Sequence, residues 1–478
     1  MTFNSITFAV FFIMVLAVYW NATGRGKNLT LVFASYVFYG WWDWRFLSLL
    51  LISTAIDFTI GKRLDNAEHD GHRKFLVWSS VAVNLGILAT FKYFGFFSDS
   101  AERILETLGF DASFATLNVL LPVGISFYTF QTMSYTLDVY RRRIEPTNDI
   151  VAFATYVAYF PQLVAGPIER AQNLLPAIVD VNRSFPDAYQ RREAFRLILV
   201  GLAKKVVLAD GVASIANRAF DESSSASWIV LAIGVIAFAI QIYGDFSGYT
   251  DIARGVSKLL GIDLVLNFSE PYLSRNITEF WRRWHISLSN WLRDYLYISL
   301  GGNRKGVLNT YRNLLITMLL GGLWHGASWN FVIWGGLHGL YLVIHKLTRG
   351  GAVPTHEPRL RDLPSIACTL AAVLLAWVFF RADTFQQAVD VIGGLLTMRG
   401  GPVRWTDVGT IAVFSSITVW SDLAQRRHSQ RHQDPSVSET ASLRVSAMVG
   451  RGAGAAILIT AIVVFSGGTP VPFIYFQF

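Results

Sequence analysis

Apolar runs recur along this chain too often, and extend too far, for the cores of soluble domains to absorb them. A helix that crosses a bilayer needs about 20 mostly apolar residues, and the sequence supplies such runs repeatedly. Composition agrees, with 53% hydrophobic and only 15% charged residues, against roughly 25% charged in soluble domains. Mean hydropathy is +0.39. The expectation is an all-α polytopic membrane protein of about ten or eleven spans, some short or broken. The first run, from about Thr7 to Trp20, has neither a basic leader nor a small-residue cleavage site, so it reads as a retained span.

A net charge of +8 raises the question of nucleic acid, but the basic residues fall in short segments between apolar runs, and no nucleic-acid partner is expected. Arg25 and Lys27 follow the first run; Lys62, Arg63, Arg73 and Lys74 follow the third; Arg141, Arg142 and Arg143 follow the fifth. The segment from Ser98 to Ser113 is acidic, with Arg103 its one basic residue. This alternation places the amino terminus outside and the basic loops in the cytoplasm. Arg426, Arg427, Arg431, Arg444 and Arg451 mark a further cytoplasmic loop, over Gln425 to Ser446. A final span over Ala453 to Ser466 then carries the chain outward, so both termini are expected on the extracytoplasmic side. The single cysteine, Cys368, lies in an apolar run and reads as a small core side chain; it allows no internal disulfide and no thiolate metal cluster, and no metal is expected.

Two segments break the apolar pattern. "YFPQLVAGPIERA" (159 to 171) sets Pro161, Gly166 and Pro167 in an apolar stretch, which predicts a broken or re-entrant segment. "FWRRWHISLSNWLRDYLYISLGG" (280 to 302) alternates aromatic with charged residues at helical spacing and predicts an amphipathic helix at an interface. Ionisable residues inside spans mark pathways or sites. In "GGLWHGASWNFVIWGGLHG" (321 to 339), His325 stands between Trp324 and Gly326 at the end of an apolar run. Position alone leaves two readings, an interfacial histidine beside belt tryptophans or a reactive group. His338 and His345, seven residues apart on one predicted helix, read as structural. In "QIYGDFSGYTDIARG" (241 to 255), Asp245, Ser247, Tyr249, Thr250 and Asp251 read as a buried network joining helices, with direct chemistry as the alternative. No G-x-S-x-G, H-E-x-x-H or P-loop pattern occurs.

Together "YFPQLVAGPIER", "YGDFSGYTDIARG", "FWRRWHISLSNWLRDYLYISLGGNRKG" and "GGLWHGASWNF" resemble the membrane-bound O-acyltransferase family, in its bacterial alginate O-acetyltransferase-like branch. The resemblance runs from about Tyr36 to the terminus. It implies a helical bundle with re-entrant and amphipathic segments and funnels from both faces. Residues 1–140 would be N-terminal transmembrane helices, 141–346 the catalytic core, and 347–478 C-terminal helices with an extracytoplasmic tail. It implies that His325 of W-H-G is catalytic and that His285 of W-H-I-S is a second functional residue. Trp324, Asp245, Arg282, Arg283 and Asn290 are the expected substrate-binding residues. Arg275, Arg282, Arg283, Arg293, Arg304 and Lys305 could line a cytoplasmic mouth that attracts the phosphates of coenzyme A.

The implied reaction moves an acyl group, acetyl above all, from a cytoplasmic thioester to a polysaccharide beyond a bacterial inner membrane. Acetyl-CoA is the expected donor substrate, with an acyl carrier protein as the alternative; no bound cofactor is expected. The final "FIYFQF" resembles an aromatic motif of related acylation systems, and Tyr475 becomes a candidate acyl acceptor. A phenol, of pKa about 10, is close to a thiol at about 8.5, so a phenyl ester keeps much of a thioester's transfer potential. Onward transfer would fall to an extracytoplasmic serine-type (SGNH-like) acetyltransferase partner. The reading from another class is an ion-coupled transporter using Asp245, Asp251 and the histidines.

The charge alternation makes a topological prediction. In a Cys368→Ser background, a cysteine appended after Phe478 should label in intact cells with an impermeant maleimide, and one placed at Arg142 only in broken cells. Labelling of the appended cysteine confined to broken cells would overturn the arrangement.

Overall fold

The computed structural model describes residues 1–110, 121–354, 356–433, 445–467 and 471–474, with the side chains of 428–433 and 445–451 outside the description. Among the described residues every regular element is helical. Four helical stretches among the described residues are long and apolar enough to cross a membrane: Arg25–Asp65, Asp70–Thr107, Trp228–Leu259 and Leu360–Arg381. Shorter apolar helices cover Ile6–Asn21, Ile150–Leu163 and Gly452–Phe465. The chain forms two compact units, Met1–Ile198 with Ala253–Val265, and Leu199–Ile252 with Leu266–Phe478.

The first unit shows how polar groups survive inside an apolar bundle. The Asp57 carboxylate accepts from Ser80 Oγ at 2.5 Å and from Asn84 Nδ2 at 2.8 Å. The Asn84 oxygen in turn accepts from Ser53 at 2.9 Å and Thr132 at 3.1 Å. Lipid offers no substitute partner, so such groups must be satisfied within the protein. Lys27 and Arg73, taken from the sequence as loop charges, are both buried. Lys27 Nζ donates to the Arg183 carbonyl at 2.6 Å. Arg73 donates to the carbonyls of Leu64 and Tyr140, at the ends of the helices Leu47–Asp65 and Ile125–Tyr140. Helix C-termini leave carbonyls unpaired and attract cations, which is why Arg73 turns inward, while Lys27 turns to a loop carbonyl between the helices that end at Val179 and begin at Ala188.

The proline-containing stretch is broken as expected. The helix Ile150–Ala158 ends at Tyr159, a four-residue helix covers Phe160–Leu163, and residues 164–170 are non-helical yet almost wholly buried. The Phe160 amide, lost to the helix ladder, donates to Ser35 Oγ at 3.1 Å.

Three sequence readings are corrected. Residues 280–302 do not form one amphipathic helix: Ile277–Arg283 and Ile286–Trp291 are separated at His285, whose φ is 42°, and a π-helical turn Leu292–Tyr297 follows. The periodicity persists through the break because Trp281, Trp284, Leu288 and Trp291 are buried from both segments. The polar stretch after Gln425 begins as helix, since Trp405–Gln433 is continuous. Its inner face carries the buried Asp422, which accepts from Tyr243 Oη at 2.5 Å. Cys368 is exposed on Leu363–Arg381 rather than in a core; in a membrane helix an apolar run has a lipid-facing side as well as an inner one.

In the second unit the long helix Trp228–Leu259 meets the segment around the π-helical turn Lys204–Ala209 almost backbone to backbone. A Cβ on Gly248 would lie 2.7 Å from the Gly201 carbonyl oxygen, and one on Gly244 would lie 3.0 Å from that of Lys204. Glycines four apart on one helix face permit such an approach. It brings Lys204 Nζ to 2.8 Å from Asp251 and Lys205 Nζ to 3.0 Å from Asp245.

The close approach is testable. Gly248→Ala should destabilise the protein by about 1–3 kcal/mol through overpacking, while Gly409→Ala, with open space around it, should be neutral or better. Thermal unfolding in detergent reads the difference; equal melting of the two variants would disprove the backbone contact.

Candidate active site

The centre of the second unit is a helical hairpin, Val307–His325 and Trp329–Arg349. Glycines bring the two backbones together at its seam. A Cβ on Gly322 would lie 2.2 Å from the Phe331 carbonyl oxygen, and one on Gly335 would lie 2.2 Å from that of Met318. Gly326 leaves helical backbone at φ −157°, and its missing Cβ makes room for the Phe331 ring, which would otherwise stand 2.1 Å away. The hairpin therefore turns tightly just past His325 and holds that residue on rigid backbone.

His325 is buried among rings. Its centroid lies 5.0 Å from Trp324, 5.0 Å from Trp334 and 5.4 Å from Phe380. His285 stands 6.3 Å away, and Trp324 reaches both, 6.0 Å from His285. The two histidines and the tryptophan singled out in the sequence thus form one cluster. Such apolar walls exclude water and strengthen any charge interaction made inside them.

His285 occupies the left-handed region (φ 42°, ψ 55°), which costs about 1 kcal/mol or more for a residue with a Cβ. Its side chain is fixed in return. Nδ1 lies 3.2 Å from Asn267 Oδ1, and Ser287 donates to the same oxygen through its amide at 3.2 Å and its hydroxyl at 2.9 Å. A backbone amide only donates, so Asn267 must present its oxygen here. Nδ1 of His285 is then the donor and the lone pair sits on Nε2.

Asp245 lies one residue before Phe246, whose ring packs edge-on to His285 at 4.7 Å. Its Oδ2 accepts the Ile474 amide at 2.7 Å, and its Oδ1 faces Lys205. The C-terminal segment is therefore seated here: Phe473 stacks on Tyr249 at 4.5 Å and meets Phe246 at 6.3 Å, and both Phe473 and Ile474 are buried. Tyr475 itself lies outside the described residues.

The remaining expected binding residues are not gathered around the histidines by any hydrogen bond or ring contact described. Arg282 is exposed and Asn290 half-buried. Arg283 pairs with Glu270 at 3.2 Å and Glu279 at 2.9 Å. Arg275 is buried against Glu279 at 2.8 Å, and Arg293 pairs with Asp294 at 2.6 Å, so three of the six arginines and lysines proposed for the mouth are already ion-paired. Asp245 and Asp251, the carboxylates an ion path would use, each face a buried lysine. His338 is buried 4.8 Å from Trp334 and 5.1 Å from Trp281, while His345 Nδ1 lies 2.8 Å from Thr278 Oγ1.

Sequence reasoning passed over Asn267, Phe246 and Lys205. The lysine carried a signal, because the pair Lys204–Lys205 interrupts the apolar run "VGLAKKVVLA" (200 to 209), and ionisable residues in such runs are seldom incidental.

The profile described as MBOAT, membrane-bound O-acyltransferase family, matches residues 2–380. The chain is 42% identical over 394 residues to the probable alginate O-acetylase AlgI of Azotobacter vinelandii, covering 81% of this chain and 76% of that protein. It is 41% identical over 404 residues to the protein of the same name from Pseudomonas putida, covering 83% and 80%. It is 35% identical over 400 residues to the peptidoglycan O-acetyltransferase of Helicobacter pylori, covering 78% and 74%.

The hydrogen bonds at Asn267 predict a tautomer. With 15N-labelled imidazole, His285 should show a protonated Nδ1 and an unprotonated Nε2, and Asn267→Leu should abolish the preference while leaving His325 signals in place. A protonated Nε2 in the unaltered protein would refute the assignment.

Proposed function

This chain belongs to the membrane-bound O-acyltransferase family, and from that premise we propose that it passes an acetyl group from a cytoplasmic thioester to Tyr475, for onward transfer to a polysaccharide outside a bacterial inner membrane. Membership makes it an O-acyltransferase and a multi-pass membrane protein. The choice of acetyl and of a polysaccharide acceptor rests on its likeness to proteins named for O-acetylation of alginate and peptidoglycan.

One observation carries the mechanistic reading. The segment leading to Tyr475 is seated beside the histidine pair, with Phe473 against Phe246, Phe246 against His285, and His285 facing His325. One residue spans at most about 3.6 Å, so Tyr475 cannot stray far from the seated Ile474. In the proposed step the Tyr475 oxygen attacks the thioester carbonyl carbon while its proton passes to His325. The carbon–sulfur bond breaks, the thiolate takes that proton, and a phenyl ester remains. Imidazole suits this shuttle because it titrates near neutral pH. His285, holding its lone pair on Nε2, orients the donor by accepting a hydrogen bond from it. A hydroxyl of the extracytoplasmic partner then attacks the phenyl ester, the bond from the carbonyl carbon to the tyrosine oxygen breaks, and the phenol recovers its proton. Asp245 acts on this reading through the tail and not through the sugar.

The experiment is intact-mass and peptide mapping after incubation with labelled acetyl-CoA. We expect label on Tyr475, absent in Tyr475→Phe. His325→Ala should lower loading by about 10²–10⁴-fold, the usual worth of a positioned general base, with membrane insertion unchanged and His345→Ala mild. If Tyr475→Phe, with its partner present, still acetylates polysaccharide at the normal rate, Tyr475 is not on the path.

A further inference from the structure

Lys205 is held in a way that the acyl-transfer step does not require. Its side chain is only 5% exposed, and an ammonium so placed must spend its three N–H donors inside the protein. It has three oxygens within reach: Asp210 Oδ1 at 2.8 Å, Asp245 Oδ1 at 3.0 Å and the carbonyl of Val471 at 2.9 Å. The third belongs to the C-terminal segment. The same segment returns a donor to the cluster, because the Ile474 amide gives its proton to Asp245 Oδ2 at 2.7 Å. Without the segment, Lys205 would lose one of its three acceptors and Asp245 the donor to Oδ2. Both groups that the cluster reads on the tail are backbone groups three residues apart, and of the two residues between them Pro472 carries no amide hydrogen at all. The Phe473 ring, stacked on Tyr249 at 4.5 Å, adds a side-chain contact that tells this register from its neighbours.

We propose that Lys205, acting through Asp245, is the positioning residue that seats the C-terminal segment and sets the register of Tyr475 against the histidine pair. This rests on the reading of Tyr475 as acyl acceptor. A slip of one residue displaces an extended chain by about 3.3–3.6 Å, as much as the whole approach distance of a near-attack conformer. Loss of the seat should therefore lower the rate of acyl loading and leave donor binding unchanged. The placement of Lys205 on a π-helical turn fits this role, since such turns re-aim side chains and recur at functional sites.

The test uses full-length protein with a cysteine reporter at Ile474, which is buried, in a Cys368→Ser background. Lys205→Met should raise the maleimide labelling rate at position 474 by about tenfold or more, equivalent to about 1.4 kcal/mol of lost seating, and Lys205→Arg should restore slow labelling. Asp245→Asn, which keeps the shape of the acceptor, should also accelerate labelling and guards against a folding defect in Lys205→Met. In protein with Ile474 intact, Lys205→Met should lower kcat for loading of Tyr475 with KM for acetyl-CoA unchanged. Unchanged labelling in both variants overturns the proposal, as does wild-type loading by a Lys205→Met protein whose tail labels fast. Absence of label on Tyr475 in the unaltered protein would instead sink the acceptor reading, and the labelling rates would still decide whether Lys205 holds the tail.

Discussion

A charge inside a lipid-embedded helix bundle must find its partner, a counter-charge or backbone carbonyls, within the same bundle, because the surrounding hydrocarbon offers none. In the second unit this requirement is met by two consecutive lysines, each paired with a carboxylate of Trp228–Leu259. Aspartate is short, so the pairing needs the backbones to be close, and the glycines at 201, 244 and 248 provide that closeness. From the same stretch come Phe246, which packs on His285, and Tyr249, which carries Phe473. The ion pairs, the histidine pair and the tail therefore depend on one glycine-lined helix contact. Replacing a buried ion pair by apolar residues is often neutral or stabilising in other proteins, so what these pairs contribute here is geometry more than stability.

Much of this was legible in the sequence, and what was not has physical causes. Its glycines and its place at the end of an apolar run singled out His325, because a tight turn needs glycine whatever the fold around it, but position alone left an interfacial histidine equally open and only the family resemblance pointed to chemistry. The broken segment after Tyr159 was equally plain, since proline removes a donor locally. The break at His285 was hidden: aromatic and charged residues keep helical spacing on either side of it, and a single left-handed residue leaves no trace in periodicity. Lys27 and Arg73 were misread as loop charges because counting charges along the chain cannot reveal which buried backbone carbonyls, in a loop for one and at helix ends for the other, lack donors. Lys205 was overlooked for the opposite reason, as its acceptors lie 5, 40 and 266 positions away. The apolar character of the tail was evident, but its seat depends on backbone groups, which every residue carries and no sequence pattern marks.

The seam between Val307–His325 and Trp329–Arg349 has one more consequence. With no side chain between the two helices at Gly322 and Gly335, the hairpin has few rotamers to sample, and His325 at its bend inherits that stillness. On the proposed reading, in which His325 takes the proton, the orientational entropy of its imidazole is surrendered once, when the chain folds, and not again at each turnover. The temperature dependence of the chemical step should then be dominated by enthalpy, with the entropy-bearing component confined to the substrates.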